Sequence, residues 1–113
     1  MDTTTFTVTA TDGTPLHVFR WSPDAGAAPK AVVQIAHGMA EHSARYARFA
    51  EVLTAAGYAV YANDHRGHGQ TAGDLKRAGF FAEHDGWSTV VEDMYAVTRT
   101  IREEQPGLPI FLF

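Results

Sequence analysis

Six residues, His37-Gly38-Met39-Ala40-Glu41-His42, lie between the apolar run 31–35 and a helix-patterned stretch that begins at Ser43. An apolar strand that breaks at His-Gly and turns straight into a helix start leaves backbone N–H groups without intrahelical partners, aimed at the mouth of a sheet. Such a junction suits an anion. Two kinds fit these residue types: a bound phosphate, or the oxyanion that develops during acyl transfer. A second polar segment, Asp64-His65-Arg66-Gly67-His68-Gly69, follows the apolar run 58–62. Its two histidines have neither Cys nor a carboxylate cluster beside them, which argues against zinc, and it lacks the Gly-x-Gly-x-x-Gly and P-loop spacings of a phosphate cradle. Loop bracing is the better reading, with glycines for a tight turn and Asp64 and Arg66 for ion pairs or hydrogen bonds. Ser22, Ser43 and Ser88 read as loop and cap residues, because none sits in a strand-to-helix elbow that would expose a nucleophile. The histidines come without the carboxylate and nucleophile that a catalytic triad requires.

The surrounding pattern supplies a sheet edge to hold these segments. Residues 5–9 alternate polar and apolar side chains, Asp12-Gly13-Thr14-Pro15 is a turn, and 16–21 resumes strand character, which predicts an antiparallel hairpin. Residues 23–30 form a loop, and 31–35 is nearly continuous in apolar character, as in a parallel strand covered on both faces. Between Ser43 as N-cap and Gly57 as C′ residue, Tyr46, Phe49, Ala50, Leu53 and Ala56 share one helical face. Residues 58–62 make the next buried strand and 63–73 a polar loop. Over 88–105, Val90, Val91, Met94, Val97 and Ile101 keep helical spacing, Thr89 and Glu92 form a capping box, and Pro106-Gly107 ends the helix. A further apolar strand begins at 108. The aromatic residues Phe80, Phe81 and Trp87 read as core or pocket wall. A hairpin followed by strand, helix, strand, helix, strand predicts an α/β fold with a mostly parallel sheet, whose working loops gather at the carboxyl ends of the strands. The 37–42 and 64–69 segments therefore share an edge. With no repeat or break in composition, residues 1–113 read as part of one domain.

Composition narrows the function classes. The 113 residues are 45% hydrophobic and 19% charged, which excludes disordered and fibrous classes. A net charge of -4, with nine scattered Lys and Arg, gives no case for nucleic acid. Without cysteine there is no disulfide, thiol nucleophile or Cys-based metal site. The start carries no basic and apolar leader, and no run reaches the roughly 18 apolar residues of a membrane span. A cytoplasmic protein is expected. The ending Ile110-Phe111-Leu112-Phe113 falls inside an apolar element, as expected of the amino-terminal portion of a larger fold.

Two stretches carry a family resemblance: His37-Gly38-Met39-Ala40-Glu41-His42-Ser43-Ala44-Arg45-Tyr46, then Asn63-Asp64-His65-Arg66-Gly67-His68-Gly69-Gln70-Thr71. Together they resemble the amino-terminal part of α/β-hydrolases of the monoacylglycerol lipase and lysophospholipase type, grouped with the serine aminopeptidase-like hydrolases. The hairpin, Phe80-Phe81-Ala82-Glu83-His84 and the helix start 87–93 fall in the matching order. The resemblance implies a serine ester hydrolase acting on monoacylglycerol, lysophospholipid or similar esters, a small-molecule or lipid substrate, and neither cofactor nor metal. It also implies that the triad Ser, Asp or Glu, and His all lie beyond Phe113, since the strand at 108 leads into the Gly-x-Ser-x-Gly elbow. Within 1–113 it assigns one oxyanion-hole donor, the backbone N–H of Met39, with His37 and Gly38 shaping that loop. Met39, Ala40, Glu41 and Arg45 are implied to line the substrate pocket, Glu41 and Arg45 at its polar end. Relatives often carry Gly at the position of Ala40 and Ser at that of Thr71. Read without the resemblance, Glu41 and Arg45 make an i,i+4 ion pair near a helix start. An amidase or carbon-carbon bond hydrolase on the same scaffold, a non-catalytic binding relative and a nucleotide-binding α/β domain remain open alternatives.

Overall fold

The computed structural model describes residues 1–24, 27–38, 41–68 and 86–113. The hairpin strands are β1 (Asp2–Thr9) and β2 (Pro15–Ser22), followed by β3 (Ala31–Ile35), a 3-10 turn (Ser43–Tyr46), α1 (Ala47–Ala55), β4 (Tyr58–Asn63), α2 (Gly86–Glu104) and β5 (Ile110–Leu112). At the hairpin turn Gly13 takes φ +89° and the Asp12 carboxylate accepts the Thr14 N–H at 3.0 Å, an Asx turn of the kind that Asp-Gly favours. Among the described residues the strands form one sheet in the order β1-β2-β4-β3-β5. Strands β3, β4 and β5 are parallel, and the hairpin joins them through the antiparallel pairing of β2 with β4.

Because β4 lies on one side of β3 and β5 on the other, the two crossovers run in opposite directions. Crossovers of one hand then put their helices on opposite faces of the sheet. The core is split accordingly. Leu16, Val18, Val32, Ala59 and Tyr61 pack with Ala96, Val97 and Ile101 of α2. On the other face Trp21, Val33, Ile35, Val60 and Ala62 pack with Ala50 of α1. Each fully buried Val, Leu or Ile stabilises the fold by about 1.5–3 kcal/mol, so these two layers, rather than any polar pair, hold the sheet. Gln34 is the polar exception inside β3. Its amide donates to the Met94 carbonyl at 3.0 Å and accepts the Thr98 hydroxyl at 2.7 Å, fastening α2 over the central strand.

Three expectations about the helices need correction. Ser43 opens the 3-10 turn instead of capping a helix, and neither that turn nor α1 has a side-chain cap from the residue preceding it. Helix α2 begins at Gly86, which puts Thr89 and Glu92 inside it and removes the capping box. Its buried face is Val90, Asp93, Ala96, Val97 and Ile101. Trp87 and Val91 fall on its flank, 77% and 49% exposed, so neither is core. Ala56 is likewise exposed, whereas Gly57, at φ +97°, does end α1 in the left-handed conformation of a C′ glycine. Phe80, Phe81 and Thr71 lie outside the described residues. β5 occupies the sheet edge, with Phe111, Leu112 and Phe113 more than half exposed.

Candidate active site

β3 and β4 run parallel with Ile35 opposite Ala62, so the segments after them leave the sheet at one edge. Their first polar residues are joined twice. The His65 backbone N–H donates to His37 Nε2 at 2.9 Å, and His65 Nε2 donates back to the His37 carbonyl at 3.2 Å. The other nitrogen of His37, Nδ1, lies 2.8 Å from the Gly38 carbonyl and carries the proton. This set of bonds requires the His37 ring to be neutral, because its Nε2 must keep its lone pair. Burial, with the neighbouring ring as a lesser cause, pushes His65 down to about 4, and burial lowers His37 as well. The rings are close-packed, their centroids 4.1 Å apart, with His68 at 5.1 Å from His37. His65 and His68 are the ends of a tight turn, the His68 N–H donating to the His65 carbonyl at 2.9 Å. Gly67 at its third position has φ +77°, the requirement of a type II turn.

Asp64, His65 and Arg66 each tie the β4 loop to a different element. Asp64, 1% exposed, accepts the Ser43 N–H at 2.7 Å, satisfying a backbone donor at the start of the 3-10 turn. His65 holds the end of β3. The Arg66 guanidinium forks onto Asp93 of α2, Nε to Oδ2 at 2.7 Å and Nη2 to Oδ1 at 2.8 Å, and reaches Asp12 in the hairpin turn at 2.8 Å. These two carboxylates raise Arg66, and Arg66 in turn holds Asp12 well below the usual carboxylate range. Among the described residues no group of three His, Cys, Asp or Glu side chains is placed to hold a metal ion.

The His37-Gly38 junction is closed by Glu41. Its Oε1 accepts the Gly38 N–H at 2.6 Å, while the Glu41 N–H donates to the Gly38 carbonyl at 3.1 Å. Tyr46 adds its hydroxyl to the same Oε1 at 3.1 Å, and Arg45 Nε stands 3.5 Å from Oε2. The Gly38 N–H, then the Tyr46 hydroxyl, hold the Glu41 carboxyl below its ordinary value. A Cβ on residue 38 would fall 2.6 Å from Glu41 Oε1, so a larger residue there would require the end of the Glu41 side chain to shift. Met39 and Ala40, the residues between, lie outside the described residues. Beside this junction stands the carboxyl end of β5: the Phe113 N–H donates to the Gln34 carbonyl and the Ala36 N–H to the Phe113 carbonyl, each at 2.9 Å. Three strand ends thus meet where the sheet's connections reverse direction, the usual crevice for ligands in an open α/β sheet.

His37, Gly38, Glu41 and Arg45 are therefore neighbours at one edge, and the 64–68 segment lies beneath them. Sequence reasoning missed Tyr46 as a partner of Glu41 and Asp93 as the main partner of Arg66. Tyr46 had been counted only as apolar face. Asp93 carried a signal, since it falls three residues from Val90 and four from Val97, on the stripe that faces the sheet.

Residues 27–113 match the family of hydrolases described as serine aminopeptidase, S33. The chain belongs to that family. This S33-family chain is similar to the monoglyceride lipase of Homo sapiens, 35% identical over 101 residues that make up 89% of this chain and 31% of that protein. It is also similar to the monoacylglycerol lipase of Mycolicibacterium smegmatis, 39% identical over 89 residues, 79% of this chain and 29% of that one. Among solved structures, a thermostable carboxyl esterase from Bacillus coagulans in complex with glycerol superposes on 100% of the S33-family chain and 36% of its own, with a TM-score of 0.87 and 31% identity. The fold is that of the amino-terminal part of an α/β-hydrolase. The S33-family chain spans about 30% of the length of these relatives.

Proposed function

We propose that this chain is the amino-terminal part of a serine ester hydrolase acting on monoacylglycerol, lysophospholipid or similar carboxylic esters, and that it supplies half of the oxyanion hole. The observation carrying this reading is the placement of the β5 end. The Ala36–Phe113 hydrogen bond sets that strand end beside the His37-Gly38 junction, which supports placing a nucleophile carried just beyond Phe113 next to the segment that follows Gly38. The names of the relatives, monoglyceride and monoacylglycerol lipases and a carboxyl esterase, support the monoacylglycerol and carboxylic-ester part of this reading.

In this mechanism a Ser beyond Phe113, activated by a His from the same later region, attacks the ester carbonyl carbon. As the carbonyl π bond breaks, its oxygen takes the negative charge and accepts bonds from the Met39 N–H and from the amide after the Ser. Collapse expels the alcohol, and water then releases the acyl group. His37 and Gly38 shape the donor loop, the Met39 side chain and Ala40 wall the pocket, and Glu41 with Arg45 marks its polar end. The competing phosphate reading is weakened by Glu41. A phosphate is charged when it binds and would approach a carboxylate already seated on the Gly38 N–H, whereas an ester binds neutral. The remaining assignments are a cytoplasmic location and no activity from residues 1–113 alone; no helix among the described residues is long and apolar enough to cross a membrane.

The complete gene product should be labelled by a fluorophosphonate serine probe and should hydrolyse monoacylglycerol or lysophospholipid. Absence of labelling in folded protein would refute the serine mechanism. Labelling accompanied by turnover of amides only would move the substrate class.

A further inference from the structure

We infer that His65 is a positioning residue for the ester-hydrolase reaction, acting through His37: the two histidines form a latch that fixes the tautomer of the His37 ring and the direction of the His37 carbonyl where the chain leaves β3. The inference deepens the ester-hydrolase reading and rests on it for its catalytic consequence. Its basis is the change of bonding where the strands part. The pairing of β3 with β4 ends at Ile35 and Ala62, and beyond it two bonds between the loops take over. The His65 backbone N–H donates to His37 Nε2 at 2.9 Å, and His65 Nε2 donates to the His37 carbonyl at 3.2 Å. Backbone ladder bonds would only have prolonged the strands. One side chain used as acceptor and another used as donor fix a ring orientation and a carbonyl direction instead.

Both partners are held from behind. His37 Nδ1 lies 2.8 Å from the Gly38 carbonyl, so the ring proton sits there and Nε2 keeps the lone pair that the His65 N–H needs. His65 stands between two residues tied to other elements: Asp64 takes the Ser43 N–H at 2.7 Å, and Arg66 is forked onto Asp93 of α2. Burial is the main cause that lowers both rings, His65 to about 4, and it keeps them uncharged at neutral pH. His65 Nδ1 is buried and makes no hydrogen bond among the described residues, as a neutral ring protonated on Nε2 allows. Because a peptide unit is planar, fixing the His37 carbonyl also orients the Gly38 N–H, which donates to Glu41 Oε1 at 2.6 Å. The first peptide of the junction is thus held at both polar atoms, by β4's loop through one and by Glu41 through the other. It lies one residue beyond the Ala36–Phe113 bond that brings the β5 end to the same edge.

The latch and its catalytic consequence are read separately. Long-range proton–nitrogen spectra of the complete gene product, with isotope-labelled histidine at neutral pH, should show His37 neutral, protonated on Nδ1 and bare on Nε2. His65→Leu should let the two His37 tautomers average, whereas His65→Gln, whose amide can still donate to the His37 carbonyl, should not. A wild-type His37 that is cationic or protonated on Nε2, or His37 shifts unmoved in the Leu variant, would overturn the latch. For the reaction, His65→Leu should lower kcat about 10- to 100-fold on a monoacylglycerol and on a p-nitrophenyl ester alike, with KM little changed, the size of a small misplacement of a catalytic group. His65→Gln should recover most of that loss. Equal losses in the two variants at matched thermal stability, or an effect confined to KM, would overturn the positioning role. Should His65→Leu not fold, His65→Phe, which keeps a ring and loses the donor, takes its place in both measurements. If the wild type escapes the fluorophosphonate probe, the functional reading fails on its own, and the His37 spectrum still decides whether the latch exists.

Discussion

Protonating His65 should cost the protein a defined part of its stability. Burial and the adjacent His37 push His65 down to about 4, against 6.5 for an ordinary histidine. The folded state thus resists a proton that the unfolded chain accepts. Stability from this group is complete above pH 6.5 and is lost as pH falls from 6.5 towards 4, where the folded protein finally binds the proton too. The loss runs at about 1.4 kcal/mol per pH unit inside that window and reaches about 3 kcal/mol near pH 4. A structural cause underlies it: the charged ring would sit buried, 4.1 Å from His37, beside a His37 Nε2 already committed to the His65 N–H. His37 shifts in the same direction and adds to the trend. Asp12 contributes with the same sign but lower on the scale, since its stabilisation is present above the ordinary carboxylate range and fades only as pH drops through it. Urea unfolding at several pH values between 7.5 and 4.5, on wild type and on His65→Gln, isolates the His65 share. Glutamine can still donate an N–H to the His37 carbonyl but has no proton to gain. The variant should be less stable at pH 7.5 and should lose stability less steeply between pH 6.5 and 4.5. Parallel slopes for the two proteins would refute the reasoning.

Three further outcomes follow from the same geometry. Arg66→Met leaves the nearly buried Asp93 carboxylate uncompensated and should cost about 3–5 kcal/mol in urea unfolding, whereas Arg66→Met combined with Asp93→Leu should cost less than the single change. Asp12→Asn, at the half-exposed end of the same guanidinium, should cost less than about 1 kcal/mol in the same assay. Gly57→Ala, which forces a Cβ into φ +97° at the end of α1, should lower stability by about 1 kcal/mol without changing probe labelling of the complete gene product.

Much of the fold was legible because it follows from local pattern. The alternation at 5–9, the Asp12-Gly13 turn and the apolar runs 31–35 and 58–62 are each read within a few residues, and each is a strand or turn in the structure. The placement of 37–42 and 64–69 on one edge followed from strand ends alone, and the His37–His65 bonds realise it. Less legible was how polar groups are satisfied across the fold. Ser43 looks like a cap because caps are local, but its N–H is taken by Asp64, 21 residues later. Thr89 and Glu92 have capping-box spacing, yet spacing cannot say that the helix has already begun at Gly86. Trp87 reads as core or pocket wall from its side chain, and the rotation of α2 set by Val90, Val97 and Ile101 turns it out of the core. At the site, the i,i+4 relation of Glu41 and Arg45 was visible, while the shorter and closer bond of Glu41 to Gly38 was not, because it depends on a backbone turn.

The central claim is that the segment between His37 and Glu41 donates to an oxyanion. A crystal structure of the complete gene product inhibited by a trifluoromethyl ketone, which forms a tetrahedral adduct with a serine nucleophile, tests it most directly. The account predicts the adduct oxygen about 2.7–3.1 Å from the Met39 nitrogen, with the Glu41 carboxylate still on the Gly38 N–H. An adduct whose oxygen takes its hydrogen bonds elsewhere, with the Met39 N–H turned away, would contradict it.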